Sequence, residues 1–154
     1  MEKEPVEFKR KLCRHLTAVL EKRALEAEEA MQALKESLES ETKSSAGDKY
    51  ETAREMIRIE LDKYEVQLSN TRHLLHELSQ IDLEKNYNVV ETGSLVVTDS
   101  GKYFMAIGVG KVEMAGETIF VISLASPLGQ ALAGKKAGET GSFQGRNWKI
   151  DRMY

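Results

Sequence analysis

Two apolar series at helical spacing, separated by a short polar stretch, constrain this chain more than any other feature. Leu16, Leu20, Ala24, Ala27, Met31, Leu34 and Leu38 advance in steps of four and three, and Ile57, Leu61, Tyr64, Leu68, Thr71, Leu75 and Leu78 alternate four and three without a slip. Each series puts its members on one face of a helix, and the second is a heptad seam. Between them SETKSSAGDKYET breaks the period with Ser, Gly and Asp, which supply turn and N-cap chemistry. So short a joint makes two helices of roughly 30 to 35 residues antiparallel, a finger of roughly 45 to 50 Å with a polar, acidic tip near residues 44–52. Pro5 fits only at the start of the first helix.

Glycine marks the end of this regime. Of 11 glycines only Gly47 precedes Gly93, so a helical segment gives way to a turn-rich one. SLVVT, KYFMAI, ETIFVIS, GSFQG and NWKIDRM read as short strands, with DSGK and MAGE as turns. Ser126-Pro127 opens a brief helix, PLGQALAG, with Ser126 as cap, Pro127 at its first position and Gly134 near its end. The expected class is α+β in two domains: an antiparallel coiled-coil hairpin over 1–83 and a β-rich domain with one short helix over 84–154, divided in the polar stretch LEKNYN.

Charge and cysteine usage narrow the function. A formal net charge of −3 argues against non-specific binding to naked DNA or acidic membranes. No apolar run reaches a membrane span, and the opening MEKEPVEFKRK lacks the apolar core of a signal peptide, so the expectation is a cytoplasmic protein. Cys13, the single cysteine, permits neither an internal disulfide nor a cysteine-built metal site, and within KLCRHL it reads as a structural thiol.

Several residues carry chemistry on paper. Asp48 and Glu51, three apart where the chain turns into a helix, can face the same way and share a hard cation or orient its water. The same pair also describes a capping box with Asp48 as the cap, and the two roles are compatible. His73 and His76 have metal-ligand spacing but no evident third ligand. Lys135 and Lys136 form a basic turn that is either solvated or set against an acidic partner. Trp148 reads as core of the last strand, and Met105 and Met114 need no functional reading.

The stretch ISLASPLGQALAGKKAGE, Ile122 to Glu139, resembles the signature of the carboxy-terminal domain of the Gre transcript-cleavage factors: an Ile-Ser strand end, Ser-Pro, a short Ala-Leu helix, then a Gly-Lys-Lys turn. That family's amino-terminal domain is an antiparallel hairpin whose tip carries Gly-Asp, two residues, then Glu, a spacing met here by Gly47, Asp48 and Glu51. The resemblance covers the whole chain in the same domain order. It implies a non-enzymatic elongation factor whose second domain, similar in fold to FK506-binding proteins, docks on RNA polymerase through Ser126, Pro127, Lys135 and Lys136 while the hairpin enters the secondary channel. Asp48 and Glu51 would then help hold Mg²⁺ in the polymerase active site as backtracked RNA is cut at its 3′ end. It further implies a monomer with no stably bound metal of its own, no membrane association and no specific DNA binding.

Two departures define an alternative. After Gly-Asp the family continues Leu-Ser-Glu-Asn-Ala-Glu-Tyr, whereas this chain has Lys49, Tyr50, Glu51, Thr52, Ala53, Arg54 and Glu55; and Ala125 precedes Ser126 where Asp or Asn is common. A cation beside the proposed metal acids suits a regulator that occupies the channel without stimulating cleavage. Two further readings are a peptidyl-prolyl isomerase drawing its pocket from Tyr87, Tyr103, Phe104, Phe120, Phe143, Trp148 and Tyr154, and a coiled-coil module unrelated to transcription.

Overall fold

The computed structural model describes residues 3–43 and 47–154; the side chains of Lys3, Glu41, Thr42, Lys43, Asp48 and Lys49 lie outside that description. Helices α1 (Lys3–Lys43) and α2 (Asp48–Ser79) come first. They are followed by strands β1 (Leu95–Thr98), β2 (Gly101–Met105), β3 (Gly110–Met114) and β4 (Glu117–Ile122), helix α3 (Pro127–Leu132), and strands β5 (Thr140–Phe143) and β6 (Arg146–Met153). The class is α+β as expected: a helical hairpin, then a six-stranded sheet with one short helix. Contacts group the chain into two compact units, Leu16–His76 in one and Met1–His15 with Glu77–Tyr154 in the other. No helix among the described residues is long and apolar enough to cross a membrane.

Within the hairpin unit the seam sets which side chains leave water. Every member of both apolar series is buried or half-buried. Ala27, Met31 and Leu68 form a cluster with Ala24, Leu61 and Tyr64 against it, which fixes the antiparallel pairing of α1 with α2. Arg72 Nη2 meets Glu28 Oε1 at 2.8 Å across the pair, an exposed bridge worth under about 1 kcal/mol beside the apolar seam. Apolar residues off the seam stay exposed: Met56, Ile59 and Val66 on α2 and Leu25 on α1.

The sheet runs β3-β4-β2-β1-β6-β5, antiparallel except for the parallel pair β2–β4. Five of its strands follow the expected segments. The sixth, β3, arises from GKVEM, where only Val112 is buried; an edge strand needs one apolar residue to sit down, too faint an alternation to read alone. Cross-strand register aligns Leu95, Phe104 and Val121 in one row. Alternation sends Val96, Met105 and Ile150 to the opposite face, where they cluster with Val90, Leu132 and Trp148. The two faces receive different covers: α3 contributes Leu132 and Leu128 to the second, while the first turns of α1 lie near the first, with Lys102 Nζ 5.0 Å from the centre of the Phe8 ring.

The polar stretch after α2 is held rather than loose. Tyr87 is 7% exposed and Val90 2%; the Tyr87 hydroxyl donates to the Asp82 carbonyl at 3.2 Å, and the Val90 amide donates to the Lys135 carbonyl at 2.9 Å. Gly93 closes this segment with φ of 102°, and a Cβ there would sit 2.2 Å from the Tyr87 hydroxyl, so the tyrosine occupies space that only glycine leaves.

Candidate functional site

At the hairpin end, α2 begins at Asp48, and the Gly47 carbonyl accepts from the amides of Tyr50 at 3.1 Å and Glu51 at 3.3 Å. Gly47 therefore stands in the cap position, one residue earlier than the capping-box reading has it. Glu51 is exposed on the first turn, and the Asp48 side chain lies outside the described residues, as do residues 44–46 of the expected tip. Tyr50 is drawn back along the helix: its hydroxyl accepts from Arg54 Nη1 at 3.3 Å. Among the described residues no three His, Cys, Asp or Glu side chains gather as a metal site.

The Ile122–Glu139 stretch is built around one carbonyl. Ser123 O accepts from the Ser126 amide at 3.0 Å and from Ser126 Oγ at 2.7 Å, and Ser126 Oγ in turn accepts from the Gly129 amide at 3.0 Å. Ser126 thus caps α3 with Pro127 following at the first helical position. A Cβ on Gly129 would fall 2.1 Å from Ser123 O, so the loop folds onto its own helix. The capping occupies the Ser126 hydroxyl and leaves Pro127 exposed. Beyond the helix Lys135 is half-buried, its carbonyl bound to Val90, whereas Lys136 is exposed, its amide donating to Glu139 Oε2 at 2.6 Å.

A feature that sequence reading missed lies where the first turns of α1 face the sheet. Lys9 is 1% exposed. Its Nζ sits 4.5 Å from the centre of the Tyr87 ring, which also has Lys85 Nζ at 5.1 Å, and among the described residues it has no ion-pair partner. Extending the first apolar series backward through Leu12 lands on Lys9, a signal available in the sequence. Beside it opens a cavity of about 460 Å³, lined by the cations Lys9, Lys85, Lys102 and Arg152, by Glu4, and by an apolar wall that includes Val6, Phe8, Leu95, Val97 and Tyr154.

Burial pulls Lys9 down from 10.5 to about 8, with the neighbouring Cys13 and the Asp82 carboxylate acting the other way. The folded chain therefore releases this proton near pH 8 and the unfolded chain near 10.5, so unfolding takes up a proton in between and stability rises with pH through that window. Cys13 opposes it from pH 9 upward, because burial lifts its thiol to about 11. In urea titrations followed by Trp148 fluorescence, wild type should gain on Lys9→Met by roughly 1 kcal/mol between pH 8 and pH 9. A difference that stays flat over that range contradicts a charged, buried Lys9.

The raised Cys13 thiol stays protonated at neutral pH, as a structural cysteine does. His73 and His76 are exposed on α2. Of the aromatics considered for an isomerase pocket, Tyr103, Phe120, Phe143 and Trp148 line a cavity of about 480 Å³ with Leu128 and Arg146, the Tyr103 and Phe120 rings stacked at 5.4 Å. Phe104 is fully buried, and Tyr87 and Tyr154 border Lys9 and the first cavity instead. Trp148 belongs to the core as expected, with its Nε1 buried and without a hydrogen-bond partner among the described residues.

A solved structure described as that of the transcription factor Gfh1 is similar over 92% of this chain and 92% of its own, at 21% identity and a TM-score of 0.35. A likeness of that degree assigns no role to any residue. No protein-family model and no curated protein matches the chain.

Proposed function

We propose that this chain is a transcription factor of Gre type that binds RNA polymerase through the secondary channel and stimulates cleavage of backtracked RNA by the polymerase active site. In this reading the hairpin, 1–83, is the channel finger and 84–154 is an FKBP-like dock, acting as a cytoplasmic monomer that makes no specific DNA contacts. The observation that carries it is the Ile122–Glu139 stretch: the fold consumes Ser126 and Gly129 internally and leaves Pro127 and Lys136 on the surface, as a docking loop requires. Ser126 then acts by shaping that loop, and Lys135, half-buried, contributes at its rim.

Asp48 and Glu51, three residues apart in the first turn of α2, would be the residues that help hold a Mg²⁺ shared with the polymerase, and that ion would supply the Lewis acid and the activated water. Two carboxylates three residues apart hold that ion weakly by themselves, since it gives up its waters reluctantly. The polymerase completes the shell, and the free protein needs no metal. Lys49, next to Asp48, favours a second reading in which the chain occupies the channel as a regulator without cleavage.

Transcript cleavage in stalled, backtracked complexes separates the two. Wild type should shorten the RNA, and Asp48→Ala/Glu51→Ala at equal occupancy should lose the stimulation by about 100-fold or more, with polymerase binding retained. If neither protein cleaves although both bind, the regulator is the right reading. Failure of wild type to bind polymerase removes both.

A further inference from the structure

The cavity beside Lys9 is built unlike the ordinary surface. Its wall is apolar, with Phe8, Leu95 and Val97 in it, yet four cations and one side-chain carboxylate border the same space. Two of those cations already have acids: Lys85 pairs with Glu91, and Lys102 Nζ lies 2.9 Å from Glu117 Oε1. Lys9 and Arg152 have no ion-pair partner among the described residues, and Lys9 is 1% exposed. A buried ammonium seated over an aromatic ring, which feels the Asp82 carboxylate but makes no ion pair with it, costs free energy that a counter-ion would restore. At about 460 Å³ the space suits a small organic molecule.

We propose that this cavity binds a small amphipathic anion, its phosphate or carboxylate head between Lys9 and Arg152 and its aromatic or apolar body against Phe8, Leu95 and Val97. The proposal is independent of the polymerase reading. Lys9 contributes a cation that bulk water screens little, Arg152 a fork suited to oxyanions, and the wall rewards an apolar body over a bare ion.

Three probes dissect it on the full chain: 1-naphthyl phosphate carries head and body, 1-naphthol the body alone, and inorganic phosphate the head alone. Calorimetry should find one site for 1-naphthyl phosphate with Kd below about 1 mM, and at least tenfold weaker binding of each other probe. Amide resonances of Phe8, Leu95, Val97 and Tyr154 should move in the titration. Lys9→Met and Arg152→Gln should each weaken 1-naphthyl phosphate at least fivefold and leave 1-naphthol unchanged; Arg152 is exposed, so its variant reads the site even if Lys9→Met disturbs the fold. Equal binding by both variants, shifts elsewhere in the chain, 1-naphthol binding as tightly as its phosphate, or no binding of any probe would each overturn the proposal.

Discussion

Gly129→Ala should cost the sheet unit about 3 kcal/mol or more, read as a fall in the urea midpoint of Trp148 fluorescence. Local propensity argues for the opposite sign, because alanine is favoured over glycine within a helix by about 1 kcal/mol. Position decides otherwise. The added Cβ would stand 2.1 Å from Ser123 O and 2.8 Å from Leu124 Cα, well inside contact distance, and both neighbours are backbone. Ser123 O cannot yield cheaply, because it accepts from both the Ser126 amide and the Ser126 hydroxyl; moving it undoes the cap of α3 together with the overlap. Gly108 is the matched control, since a Cβ there meets nothing within 4 Å, and Gly108→Ala should stay within about 0.5 kcal/mol of wild type. A Gly129→Ala midpoint equal to that of the control would mean the loop adapts freely, and the capped turn would lose its claim to be a rigid docking element.

Phe104→Ala should destabilise the same unit by about 3 to 5 kcal/mol. Phe104 is fully buried, and the register puts it between Leu95 and Val121, which are 3% and 0% exposed. Truncation removes the transfer free energy of a whole ring and leaves a cavity whose walls belong to three adjacent strands, so collapse is limited. Phe120, one strand over, is the informative contrast. It is half-buried and stacks on Tyr103 beside a solvent-open cavity, and Phe120→Ala should cost clearly less. Equal losses at the two positions would place the structural weight of the sheet differently from the register described here.

Much of this molecule is legible from residue order, and the reason is physical range. The seam positions from Leu16 to Leu38 and from Ile57 to Leu78 leave water as their spacing implies, because helix periodicity and apolar burial act within one or two turns. The cap at Ser126, Pro127 at the first position of α3 and the burial of Trp148 are equally local or compositional. The candidate site was legible only in part: the Gly47, Asp48, Glu51 spacing is visible in the chain, yet backbone bonding puts Gly47 in the cap position. The cap reading implies the bond from the Gly129 amide to the Ser126 hydroxyl, but nothing in the spacing suggested that the same hydroxyl donates to the Ser123 carbonyl.

Sequence alone determined the two long helices, their antiparallel pairing, five of the strands and the turn that α3 occupies, since each follows from patterns within a few residues. Tertiary structure alone decided the parallel pairing of β2 with β4 and the presence of β3 at the edge, because strand partners are chosen by shared burial between segments far apart in the chain. It also decided the fate of Lys9. Sequence puts it in line with the apolar series through Leu12; in the fold the sheet and Tyr87 close over that position, and only that enclosure turns a helix lysine into a buried charge without an ion pair among the described residues.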